Sequence, residues 1–244
     1  SRGEVGLREL RMTNTLHRYS DHYALNSSRD PAPIRDDYIV FAMATRGVND
    51  QGLVEKYRTF LRMALKYNPV NVGDASKGAL YQPSQTLSPL AHWRRNQQPD
   101  PERVIAEIAG HTTVAAVFNN QEAMESFVRE LKTADLGVSI NISAPMEAAR
   151  SCCGQVGIAR HSVEYSLGFR GQMDRLPDRR VLEIATMCGH GMVSFGFVRK
   201  MMDWVKEGRR SPNEAVCTMA RFCICGVFNL SRAERLLEEA RRSG

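Results

Sequence analysis

Aromatic residues are scarce in this sequence, at 7%, with only two tryptophans. The arginines are scattered, and no stretch alternates basic with aromatic residues as a stacking platform for single-stranded nucleic acid requires. No apolar run approaches the roughly 20 residues of a membrane helix. The opening stretch, SRGEVGLRELRM, is basic and polar and carries no signal-peptide pattern. A phosphate loop is missing too: GDASKG (73–78) has alanine after Gly78 instead of the Lys-Ser/Thr pair that reaches phosphate and magnesium. Six cysteines in 244 residues do not make the small, dense framework of a secreted disulfide scaffold. These absences set the expectation of a cytoplasmic protein with no membrane partner, whose clustered cysteines serve metal or redox chemistry rather than covalent staples.

What is abundant is positive charge. The formal net charge is +6, which a basic surface attracting a small anionic metabolite explains. Nucleic acid is disfavoured as a partner because phosphate neutralisation needs clustered Lys and Arg. A homo-oligomer remains open.

Residues 1–37 are polar, include the loop signal NSSRDPAPIRDD, and read as an N-terminal arm. DYIVFAMATRG (37–47) is a compact apolar run that predicts a strand. DQGLVEKYRTFLRMALKY (50–67) follows with Leu53, Tyr57, Phe60, Leu61 and Ala64 at helical spacing. From 68 to 100 periodicity dissolves into a Pro-, Gln- and Asn-rich span that predicts a long functional loop, lid or linker. Helices are then predicted over 100–109, 121–136 and 144–157, alternating with strands over 111–120, 137–143 and 161–169. This alternation predicts an α/β core over 38–170, its sheet mostly parallel or ferredoxin-like, with flanking helices.

Residues 171–244 predict a C-terminal helical lobe. Its first helix is expected over roughly 178–207, with Glu183 near its start as an acid suited to the helix dipole. SPNE (211–214) and SRAE (231–234) are capping boxes that would start the second and third helices.

Two stretches of the lobe carry chemistry. TMCGHGMVSFGF (186–197) sits within the first predicted helix. On an unbroken helix Cys188 and His190 would point about 200° apart and could not serve one centre. Gly189 and Gly191 each cost a helix roughly 1 kcal/mol relative to alanine, so the helix is expected to break or restart there. In RFCICGVFN (221–229), Cys223 and Cys225 precede Gly226 and fall between helices, where a turn can aim both sulfurs to one side. An antiparallel helical hairpin would then bring Cys188 to them, with His190 alongside. Three states fit such a locus: a 4Fe–4S cluster with one iron unligated by protein, a zinc ion held by Cys₃His or Cys₂His, or reduced, packed thiols without metal. Cys153 is the candidate fourth ligand, while Cys152 and Cys217 are expected to pack.

The leading functional expectation is an iron–sulfur enzyme. Its open iron would act as a Lewis acid on a small anionic metabolite, in a dehydration, an elimination or a sulfur removal. His190 would be the general acid or base, and Arg94 and Arg95 would bind the carboxylate or phosphate of the substrate. The alternatives are a fully ligated cluster for electron transfer or redox sensing, and a binding module whose zinc only ties the lobe together.

Overall fold

The computed structural model describes residues 10–12, 36–82, 99–163 and 172–243. Strand β1 (Leu10–Met12) precedes the core. Strand β2 (Tyr38–Met43) leads through helix α1 (Leu53–Leu65) to β3 (Asn71–Asp74) and the short β4 (Gly78–Ala79). After α2 (Pro101–Glu107) come β5 (Thr113–Phe118), α3 (Gln121–Ala134), β6 (Ser139–Ser143), α4 (Met146–Val156) and β7 (Arg160–Val163). The lobe contains α5 (Arg179–Thr186), α6 (Phe195–Lys206), α7 (Pro212–Ala220) and α8 (Leu230–Arg242).

The strands form one sheet in the order β4-β3-β5-β2-β6-β1-β7. From β4 to β6 every neighbouring pair is antiparallel. Parallel pairing occurs only where β1 meets β6 and β7. The expectation of a mostly parallel sheet is therefore wrong, and the reason lies in how the strand–helix–strand units interleave. Each unit does return parallel to its own start, but a strand of the other unit is inserted between. Thus β5 separates β2 from β3, and β2 separates β5 from β6. This is the split βαβ connection of ferredoxin-like sheets. Two strands, β3 and β4, also stand within the span expected as loop, and β1 stands within the expected arm.

The central strand β2 buries side chains on both sides, which is why its sequence reads as a continuous apolar run. Tyr38, Val40 and Ala42 join Tyr57 and Phe60 of α1, Ile105 of α2 and Phe127 of α3 on one face. There the rings of Phe60 and Phe127 meet edge to face at 5.1 Å. Ile39 and Phe41 face the other way, onto Ile184 of α5, Met201 of α6, Met219 of α7 and Leu237 of α8. The lobe is thus the second helical layer on the sheet.

Helix ends follow their caps. Asp100 and Asn120 accept from the backbone N–H of Arg103 and Ala123, and Ser211 with Glu214 forms a complete capping box. The last helix departs from expectation. Asn229 accepts from the Arg232 N–H, so α8 starts before Ser231, which lies inside it.

Asn229 also belongs to a buried polar latch between lobe and sheet. Arg232, 3% exposed, holds its guanidinium 3.3 Å from Asp37 Oδ2 and 3.4 Å from Glu183 Oε2. Asn229 Nδ2 donates to Asp37 Oδ1 at 3.0 Å, and Arg179 Nε donates to Glu183 Oε1 at 2.7 Å. Glu183 is therefore a buried partner rather than a dipole ornament. Removing one member of a buried ion group strands the others without solvent or counter-charge. Arg232→Ala is expected to cost about 3–5 kcal/mol in urea denaturation. Arg235→Ala, whose half-exposed side chain pairs with Asp36 and Glu239, should cost about 1 kcal/mol or less.

Candidate functional site

The amphipathic pattern of residues 178–207 is carried by two helices, not one. Helix α5 stops at Thr186 and α6 begins at Phe195 behind the Ser194 cap. Between them Gly189 and Gly191 adopt left-handed backbone, with φ of 66° and 69°, which side chains rarely tolerate. The Gly189 N–H donates to the Thr186 carbonyl at 2.9 Å, closing the helix end. The turn leaves Cys188 buried and His190 exposed.

The second turn, between α7 and α8, is seated on the sheet by direct backbone contact. A Cβ on Gly73 of β3 would lie 2.5 Å from the Cys225 carbonyl oxygen. A Cβ on Gly226, whose φ is 73°, would lie 2.5 Å from the Gly73 nitrogen. Asn71 Nδ2 donates to the Phe228 carbonyl at 2.9 Å and fixes the exit of the turn. No signal in the sequence marks β3 as the platform for the cysteines. The nearest clue is the glycine of a motif that fails as a phosphate loop.

The two turns bring Cys188, Cys223, Cys225 and His190 together. Cys223 Sγ stands 3.9 Å from Cys225 Sγ, and Cys225 Sγ stands 3.5 Å from His190 Nδ1. Cys188 hydrogen-bonds with Cys223. The three thiols are 1%, 0% and 7% exposed in chain order.

Cys223, in the middle, hydrogen-bonds to both neighbours, and with burial these bonds hold its thiol proton well above the ordinary range. The same bonds act in the opposite sense on the flanking sulfurs. Cys188 is drawn down to about 5, first by the Cys223 thiol, against burial and with backbone hydrogen bonds from His190 and Met192 assisting. Cys225 is drawn down to about 6, again first by Cys223, with the Val227 backbone assisting against burial. One thiol thus lies between two sulfurs that favour the thiolate, the nucleophilic and metal-binding form of cysteine. Among the described residues, no group of three or more His, Cys, Asp or Glu is arranged to hold a metal ion as it stands.

The other candidates lie elsewhere. Cys153 packs with Ala149 and Ala144 in a small cluster of its own, and burial raises its pKa. Cys152 belongs to the core on the face of the sheet opposite the lobe. Cys217, half-buried on α7, hydrogen-bonds to Asn213. Arg94 and Arg95 lie outside the described residues. Around the thiols the surface is apolar: Met192, Phe195, Phe222 and Ile224 are exposed large side chains on or beside the two turns. Among the described residues no helix is long and apolar enough to cross a membrane. No family model, curated protein or solved structure matches this chain.

Seating by glycine gives a direct check. Gly226→Ala adds left-handed strain and a backbone clash, so a loss of about 2 kcal/mol or more is expected in thermal or urea unfolding. Gly110→Ala, with nothing within 4 Å of the added carbon, should change stability by about 0.5 kcal/mol or less.

Proposed function

We propose that Cys188, Cys223, Cys225 and His190 form a centre for one thiophilic metal ion, zinc in the simplest case, which pins the α5–α6 turn to the α7–α8 turn. The observation that carries this reading is a pair of lengths. In a tetrahedron with Zn–S near 2.3 Å and Zn–N near 2.0–2.1 Å, sulfurs lie about 3.8 Å apart, and sulfur lies about 3.5 Å from nitrogen. The Cys223–Cys225 and Cys225–His190 separations are 3.9 Å and 3.5 Å. Left-handed glycines beside the ligands support it, since they turn backbone amides toward the sulfurs, as the bonds from His190, Met192 and Val227 illustrate. Hydrogen bonds of this kind tune thiolate ligands.

A 4Fe–4S cluster suits the geometry less well. Its cysteines bind different irons, so their sulfurs stand further apart than sulfurs that share one ion. Cys153, the thiol expected to complete a four-cysteine set, packs in a separate cluster. With His190 as a ligand, the role of free general acid or base passes from it.

The test is metal content and ligand dependence. Full-length protein from zinc-supplemented cells should carry one zinc per chain and take up cobalt(II) with the intense near-ultraviolet absorption of sulfur-to-cobalt charge transfer. Serine at Cys188, Cys223 or Cys225 should weaken metal binding by at least about 100-fold, a loss of about 2.7 kcal/mol. Cys153→Ser and Cys217→Ser should leave it unchanged. Iron with acid-labile sulfide would replace this reading with the cluster, and metal-free protein under zinc saturation would end it.

A further inference from the structure

We infer that Met192, Phe195, Phe222 and Ile224 form a docking face for an anionic lipid surface, inserting among its acyl chains while neighbouring cations hold the headgroups. The inference stands apart from the metal reading. Among the described residues the exposed large hydrophobic side chains are Val48, Met192, Phe195, Phe222 and Ile224. Four of these five gather on or beside two turns, and Met192 and Phe222 are exposed to 54% and 47%. The rings of Phe222 and Phe197 meet edge to face at 5.2 Å, so the turns present one apolar face rather than two. Single exposed apolar residues are ordinary on a protein surface, whereas a contiguous group marks a surface of interaction.

Charge decides what covers this face. Residues 192–224 contain six basic and three acidic side chains, a net +3 out of the +6 of the whole chain. Arg199 and Lys200 are exposed on α6, and Arg199 follows Phe195 on the same side of the helix, about 6 Å further along its axis. That offset suits an interfacial segment, whose apolar groups sit about 5–10 Å into the boundary of headgroups and acyl chains while Lys and Arg reach the phosphates. A second copy of the chain would set this positive face against its own like charge. Nucleic acid needs flat rings on which bases stack. Met192 and Ile224 offer none, and the Trp204 ring is already covered by Lys200 and Arg210, each 5.3 Å from its centroid. Hydrocarbon accepts the aliphatic tips, and anionic headgroups accept the cations. Such a contact needs no spanning helix, and it replaces the expectation of no membrane partner with a peripheral one.

The experiment is sedimentation of the full chain with vesicles of phosphatidylcholine, pure or containing about 30% phosphatidylglycerol. Binding should be at least about ten-fold tighter with the anionic lipid, and should weaken as added salt shortens the Debye length. Met192→Ser combined with Phe195→Ser should weaken it at least about ten-fold. Arg199→Glu combined with Lys200→Glu should do the same on the anionic vesicles, by at least about ten-fold. Both pairs alter exposed side chains, and an unchanged thermal melt by circular dichroism checks that each variant is folded. Val48→Ser, on the β2–α1 connection and exposed to 65%, should bind like the wild type. Phe195→Trp, which keeps the apolar ring, should add fluorescence that lipids brominated along their acyl chains quench. No sedimentation with anionic vesicles, binding that the serine pair leaves unchanged, or an added indole that brominated chains do not quench overturns the inference. Tighter binding of polyglutamate or of a single-stranded oligonucleotide than of vesicles overturns it in favour of a soluble polyanion. A dimer that the serine pair disperses overturns it in favour of a second copy.

Discussion

The cysteine turn stands where it does because two backbones touch. Gly73 in β3 and Gly226 after Cys225 approach so closely that neither position has room for a single methyl group. That contact fixes the height of Cys223 and Cys225 above the sheet, and the Asn71 side chain holds the exit of the same turn. The first turn must then deliver Cys188 to a point already determined. A rigid platform of this kind suits side chains brought together from distant parts of the chain, because a constellation held loosely by about 1 Å loses its geometry.

Much of the local structure is legible in the sequence because it rests on short-range rules. The glycines around His190 disrupt an otherwise amphipathic helix, and the backbone there is left-handed. Ser211, Pro212 and Glu214 announce a helix start that forms with both capping hydrogen bonds. In each case the determinant lies within a few residues of its effect.

What the sequence hides depends on partners far along the chain. Strand order is one example: alternating strands and helices describe both a parallel sheet and interleaved units, and only long-range pairing separates them. β3 is another. Its residues, Asn-Val-Gly-Asp, have poor strand propensity and resemble loop, yet each polar or small residue there has a tertiary task. Asn71 bonds the lobe, Gly73 receives Gly226, and Asp74 accepts from Ser76 and Thr112. Ser231 misleads for a related reason: Asn229 caps α8 while its amide nitrogen reaches back to Asp37 at the start of β2, a coupling no local window contains.

The latch between Arg232 and Asp37 spans 195 residues of sequence, and this sets an order of assembly. During synthesis the sheet and most of the lobe emerge before the residue that neutralises Asp37 and Glu183. Until α8 arrives, Asp37 and Glu183 lack their contact with Arg232, although Arg179 already faces Glu183, and the layer carrying the thiols lacks its last helix. A chain shortened before Arg232 would keep every cysteine yet lack the buried ion group that ties the last helix to Asp37 and Glu183.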